Sequence, residues 1–146
     1  LGIQEKPQQS ILGVRQGALM DQIGDQMMKD YEIVNAKVAE KPAIAAAMYH
    51  TTSDLRKRWL DYTAGYLGEL EIVPAGIQQD SIPGGRFFVV RHTGEMKFIG
   101  NAWSGGIQVM RYKKIKMAKR PGFEIYVSGF DEDGPETVTD VYLAVK

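Results

Sequence analysis

The chain has 146 residues, enough for one domain or for two small units sharing a core, and long enough to bury about 70% of its unfolded surface without staples. A composition of 44% hydrophobic, 25% charged and 10% aromatic residues excludes disorder and low-complexity structure. Lys plus Arg and Asp plus Glu balance at 18 each, so the basic excess of a dedicated nucleic-acid binder is missing, and the lack of cysteine excludes disulfides, zinc fingers, iron–sulfur sites and thiol catalysis.

In chain order, Ser10–Arg15 reads as a strand. Met20, Ile23, Met27, Tyr31, Val34 and Val38 then recur on one helical face, which Pro42 stops. Ala45–His50 and Gly68–Pro74 read as the next strands; the connection Thr51–Leu67 between them holds Arg56-Lys57-Arg58-Trp59, a candidate short helical turn. Gln78–Gly85 is polar, marked by Gly and Pro, and reads as a join. Arg86–Arg91, rich in Phe and Val, is a strand broken by Thr93-Gly94. Met96, Ile99, Trp103, Ile107 and Met110 form a second helical face, ended by Pro121-Gly122. Phe123–Val127 and Val138–Val145 alternate as strands, joined through an exposed turn at Asp131–Pro135.

A shift of 76 residues lays Pro7 on Pro83, Val14 on Val90, Arg15 on Arg91, Met20 on Met96, Ile23 on Ile99 and Gly24 on Gly100. Met27 falls on Trp103 by the same shift, and further on the offset drifts by one, pairing Met48-Tyr49 with Ile125-Tyr126. The expected fold is α+β: a tandem pseudo-twofold repeat of strand–helix–strand–strand units, about 1–77 and 78–146. These form a single domain with antiparallel sheet, as two sheets or one shared, two long helices and a central cleft where the units meet.

Few residues offer chemistry. There are two histidines, His50 and His92, and no Gly-x-Ser-x-Gly, so a nucleophilic triad has little support. No two histidines stand four apart, and the acids of Asp131–Glu136 lack calcium-loop spacing, so no metal and no cofactor is expected. Gly105-Gly106 inside the second helical pattern calls for a reason, either close approach of another segment or room for a ligand beside Trp103. Arg111–Arg120 carries six cations in ten residues and reads as a solvated helix end. The strongest local feature is Glu124, amid Phe123, Ile125 and Val127 and sharing its strand face with Tyr126. An acid there is exposed, paired, or held in a pocket as a functional charge. The drifted register puts Ala47 opposite Glu124, so one half carries the acid and the other a small side chain.

Ile82-Pro83-Gly84-Gly85 followed by Arg86–Gly94 resembles the second-unit opening strand of the GyrI-like family, Phe123-Glu124-Ile125-Tyr126 its later strand, and Thr139–Val145 its closing strand. That family includes effector-binding domains of AraC- and MerR-type regulators, standalone gyrase antagonists and hydrolase-like members. The resemblance implies a small-molecule cleft between the units, with Glu124 as its acid, Trp103 as its helix-borne aromatic and Tyr126 beside the acid; Tyr49, Phe88 and Ala47 complete the expected lining. Ala144 departs from the proline many members carry in the last strand. The leading expectation is a module binding lipophilic cationic aromatic drugs or effectors. The alternatives are a hydrolase in which Glu124 activates water, with enzymatic activity the less favoured reading, and a gyrase-antagonist-like protein-interaction role. No helix-turn-helix lies in these residues, so DNA contact would fall to another domain outside them. No apolar run approaches the about 20 residues of a membrane span and no signal-peptide pattern opens the chain, so a cytoplasmic setting is expected. The first residue is Leu1, not Met, as in a piece of a longer protein.

Overall fold

The computed structural model describes all residues except 1, 41, 43 and 130–132. Eight strands form one antiparallel sheet: β1 (Gly2–Lys6), β2 (Gln9–Leu19), β3 (Ala45–Tyr49), β4 (Trp59–Leu67), β5 (Gln78–Ile82), β6 (Gly85–Thr93), β7 (Gly122–Tyr126) and β8 (Val138–Val145). Two helices, α1 (Ile23–Lys37) and α2 (Ile99–Tyr112), cover one face. The strand order is β1-β6-β8-β7-β3-β4-β2-β5.

The two halves run through the same elements. Residues 2–67 give strand, strand, helix, strand, strand, and residues 78–145 repeat that series. β5 begins 76 residues after β1, β6 76 after β2, α2 76 after α1 and β7 77 after β3, which are the offsets of the sequence alignment. The sheet order mirrors itself about the β3–β7 pair, and each half lends its first strand to the other, β1 to β6 and β5 to β2. Only Pro83-Gly84 separates β5, at one edge of the order, from β6, next to the other edge. The three Cα steps from Ile82 to Gly85 span no more than about 11 Å, so the sheet must curl until its edges meet. Ile11, Ile82, Phe87, Phe123 and Tyr142 fill the inside of that curl, Phe123 stacked on Tyr142 at 4.3 Å between centroids.

Some elements differ from their sequence reading. The fourth strand lies at Trp59–Leu67, within the segment read as a connection, while Gly68–Pro74 is loop. Leu60, Tyr62, Ala64 and Tyr66 alternate against α1's side and pair with Ala18, Gln16, Val14 and Leu12, a register that puts four apolar or aromatic groups on one face. The left-handed Arg58 (φ 56°) that closes the short turn Leu55–Lys57 starts the strand at once. Gln78–Ile82 is a strand rather than a join, and β1 had no counterpart in the sequence reading; both are short polar edge strands, defined by their partner rather than by an apolar pattern.

The second helix ends at Tyr112, nine residues before Pro121. Lys114 takes left-handed φ (57°), its N–H donates to the Arg111 carbonyl, and the Ile115 N–H reaches back to Met110. Ile115 packs with Met110, the apolar contact that accompanies this type of helix stop. The basic run is therefore mostly a turn and an extended segment beyond the helix. Its last member, Arg120, donates to the carbonyls of Gly84, Arg86 and Val145 and lies 4.9 Å from the Phe87 ring centre, tying the end of the run to the sheet. Of the acidic turn, Asp133, Pro135 and Glu136 are exposed, while residues 131 and 132 lie outside the described residues.

Candidate functional site

The mirror axis of the sheet passes between Ala47 on β3 and Glu124 on β7, which face each other in register. Both side chains point to the helix-covered side. Tyr49 and Tyr126, 77 residues apart, occupy equivalent positions two residues further along each strand, and both hydroxyls turn to the same carboxylate oxygen. Tyr49 donates to Glu124 Oε1 at 2.9 Å and Tyr126 to the same oxygen at 2.8 Å. The other oxygen, Oε2, accepts the indole N–H of Trp103 at 2.6 Å. Gly122 makes this third bond geometrically possible. A Cβ there would meet the Trp103 ring at 3.1 Å and the Tyr142 carbonyl at 2.9 Å, so the missing side chain is what lets the indole lie down on the strand. The ring then stands edge-on to Tyr49, centroids 5.4 Å apart at 88°.

Glu124 is 1% exposed. Burial raises its pKa above the usual carboxylate value, opposed by the bonds from Trp103, Tyr126 and Tyr49 and, least, by the charge of His92. The phenols of Tyr49 and Tyr126 move well above their ordinary value, first through burial and then through the neighbouring Glu124 charge, so both stay protonated donors at neutral pH. Among the described residues no lysine or arginine pairs with this carboxylate. Arg91 grips Asp140 with two bonds of 2.8 and 3.0 Å, and Arg86 donates to the Lys146 carbonyl, so neither reaches the acid. The acid is therefore paired, by three donors that are all neutral.

Of the sequence-derived lining, the fold brings Glu124, Trp103, Tyr126, Tyr49 and Ala47 together. Trp103 lies directly on the carboxylate and fills the space between them. Phe88 sits apart, two strands from Glu124, buried with Ala102, Met110, Val141 and Leu143 in the core beneath α2. The adjacent glycines of α2 divide: a Cβ on Gly106 would meet Leu143 and Val90 within 3 Å, whereas Gly105 has nothing within 4 Å. Close approach of the helix to the sheet thus accounts for one glycine only. The histidines stay outside the cluster; His50 Nε2 lies 2.8 Å from Thr63 Oγ1, and His92 Nε2 3.1 Å from the Glu95 carbonyl.

The sequence reading missed a second buried acid. Asp30, on α1, is 0% exposed and accepts from the Tyr62 hydroxyl and from Gln26 Nε2 at 3.1 Å. Its signal was available, since Asp30 falls three residues after Met27 within the apolar face Met27, Tyr31, Val34. Tyr31 beside it donates to the Ala46 and Gly65 carbonyls at 2.7 and 3.0 Å, pinning α1 to the centre of the sheet.

The profile of the family described as Cass2, integron-associated effector binding protein, matches residues 3–145. No curated protein matches the sequence significantly. Among solved structures, SAV2435 bound to tetraphenylphosphonium superposes with a TM-score of 0.75 at 15% identity, covering 99% of this chain and 93% of that one. The C-terminal domain of EcmrR superposes at 0.74 with 16% identity, covering 99% and 96%. A hydrolase encoded by lin2189 from Listeria innocua superposes at 0.62 with 14% identity, covering 99% and 91%. At such identities the likeness establishes the fold, shared by binding domains and by a hydrolase alike. No helix among the described residues is long and apolar enough to cross a membrane.

Proposed function

Because the chain belongs to the family of integron-associated effector-binding proteins, we propose that it binds lipophilic aromatic cations in the cleft between its halves, with Glu124 as the charge that selects them. The observation that carries this reading is a carboxylate 1% exposed whose three partners, Tyr49, Tyr126 and Trp103, are all neutral. A buried anion without a counter-ion is costly, and a cation entering the site relieves that cost. The walls are aromatic, so the same cation gains ring-face attraction and buries apolar area. Trp103 is the movable wall: it is partly exposed, and its hydrogen bond to Oε2 occupies the place that a ligand's positive charge would take. SAV2435, solved with tetraphenylphosphonium, supports the ligand class by analogy of fold.

The test uses Trp103 as reporter. The chain has two tryptophans, so a Trp59→Phe variant leaves Trp103 alone. Tetraphenylphosphonium should change its emission saturably, while the neutral, comparably bulky triphenylphosphine oxide should bind far more weakly. Equal binding of both would contradict charge selection.

A second reading keeps Glu124 as a general base in a hydrolase. Its raised pKa favours that role, because a base works best when its pKa approaches the working pH. Against it, both oxygens already accept hydrogen bonds, so attack by water would first require the indole to leave. Repeated turnover of aromatic esters, abolished in Glu124→Gln, would establish the enzyme; saturable binding without product supports the binding module.

A further inference from the structure

We infer that the free edge of β2, with the α1 stripe beside it, is a self-association surface on which a second copy of this chain pairs its own β2 antiparallel about Gly17. β2 is 11 residues long, yet β5 covers its outer edge only from Gln9 to Gly13. Along β2 the even-numbered residues turn their backbone groups to the β4 side: the Ser10 carbonyl accepts from the Gly68 N–H, and the Met20 N–H donates to the Arg58 carbonyl. Those of Arg15, Gly17 and Leu19 therefore face outwards, past the end of β5. The Leu19 carbonyl takes the Gln22 N–H at 2.9 Å, and the Gly17 N–H makes a 3.3 Å bond to Oε1 of its own neighbour Gln16. The other backbone groups of this edge have no partner among the described residues, a row of donors and acceptors that fits an extended backbone.

α1 selects which backbone fits. Val34 and Val38 pack with Leu12 and Val14, so the helix runs back along β2. Gln22, Asp25, Gln26 and Lys29 form one helical stripe, and with Gly17 and Leu19 they line an open depression of about 420 Å³. Gln22 is bonded to Leu19 and is level with it; from there Gly17 lies about 7 Å back along the strand, and the same distance along the helix falls between Gln26 and Met27. Asp25 and Lys29 thus flank the level of Gly17. A twofold axis there sets Asp25 of each copy against Lys29 of the other. Within one copy these two stand four apart but form no ion pair among the described residues, so both charges are available across the axis. Trp59 and Leu19, register partners and both exposed, add apolar surface beside Gly17, whose missing Cβ leaves the place that the Trp59 indole fills.

The second half has an edge of the same form, since β1 covers β6 only to Val89. The shift of 76 carries Gln22, Asp25, Gln26 and Lys29 to Phe98, Asn101, Ala102 and Gly105, which bear no charge. Pairing β2 with β6 of another copy would be head-to-tail and open-ended, whereas β2 on β2 closes at two copies. Of the two edges, only that of β2 carries the self-complementary charges.

The experiment is sedimentation velocity over a range of protein concentrations, at low and high salt, for wild type, Asp25→Lys, Lys29→Asp and the double variant Asp25→Lys/Lys29→Asp. Both side chains are exposed, so folding is not at stake. Wild type should form a dimer that salt weakens. Each single variant sets like charges across the axis and should weaken dimerisation about tenfold or more, and the double variant should restore it. The double variant keeps both local changes in α1, so a loss caused within the helix itself would not be rescued. Amide hydrogen exchange followed by NMR reads the edge directly: the N–H groups of Arg15, Gly17 and Leu19 should slow as wild type dimerises, and not in Asp25→Lys. A wild type that stays monomeric at millimolar concentration, growth beyond two copies, single variants that dimerise like wild type, or a double variant no better than the singles would each overturn the proposal. So would a dimer that leaves those three amides exchanging freely, because it would use another surface.

Discussion

The two halves of this chain share their elements and differ in the few side chains that meet on the mirror axis. Where the first half places Ala47, the second places Glu124; where α1 carries Met27, α2 carries Trp103; where α1 carries Asp30, α2 carries Gly106. Tyr49 and Tyr126 are kept in both, and they converge on a single oxygen. A symmetric pair of subunits could not do this, because any carboxylate on its axis would come twice, like charges in contact and both buried. Joining the halves in one chain lets a single anion sit on the axis with two matched phenols around it.

The largest break in that comparison is to restore the symmetry. Ala47→Glu sets a second carboxylate against Glu124 at a position with 0% exposure, and about 3–5 kcal/mol of stability should disappear at neutral pH. Urea unfolding would measure it, and recovery in the double variant with Glu124→Ala would sharpen the assignment to charge and crowding on the axis.

Next come the matched phenols. Tyr49→Phe and Tyr126→Phe each remove a bond to a charged acceptor and should each cost about 1.5–3 kcal/mol. Near-equal costs in denaturant titrations would agree with two equivalent donors, whereas a cost confined to one would show that the halves share geometry without sharing load.

Smaller effects are expected at the paired glycines of α2. Gly106→Ala brings a methyl within 3 Å of Leu143 and Val90 and should destabilise by about 1–3 kcal/mol. Gly105→Ala meets nothing within 4 Å and should gain up to about 1 kcal/mol of helix propensity. Thermal melts of the two single variants should therefore move in opposite directions.

The smallest effect is a pH dependence. Burial raises the folded-state pKa of Glu124, so over the window above the unfolded value the unfolded chain binds fewer protons than the native one. Stability from this group is complete below the unfolded pKa near 4.5 and is lost as pH rises through the folded value. The stability of wild type relative to Glu124→Gln should accordingly decline from acid towards neutral pH. A difference that grows instead would mean that the three donors outweigh desolvation.

Much of this was legible in the sequence because the repeat carries its own register. The offset of 76 located both helices, and its drift to 77 placed Ala47 against Glu124 and Tyr49 in line with Tyr126. Edge strands β1 and β5 were illegible for a physical reason: polar, five residues each, they are held by pairing across the two halves and bear no apolar alternation. β4 was misplaced because the Arg56-Lys57-Arg58 run that precedes it suggested a solvated connection, whereas the strand begins immediately after it. At the candidate site, strand parity was enough to put Glu124 and Tyr126 on one strand face. It could not show that the Trp103 indole would reach the carboxylate, which depends on how closely α2 approaches Gly122. Asp30 went unread because the apolar residues of its helix face were followed and the acid among them was passed over.

The central claim is that one buried carboxylate selects cations, and Glu124→Gln tests it most directly because it keeps the shape and removes the charge. Tetraphenylphosphonium and triphenylphosphine oxide would be titrated against both proteins at neutral pH by calorimetry. The account predicts that the cation loses about 2 kcal/mol or more, roughly thirtyfold in affinity, while the neutral ligand changes little. Unchanged cation affinity in the variant, or an equal loss for both ligands, would contradict it.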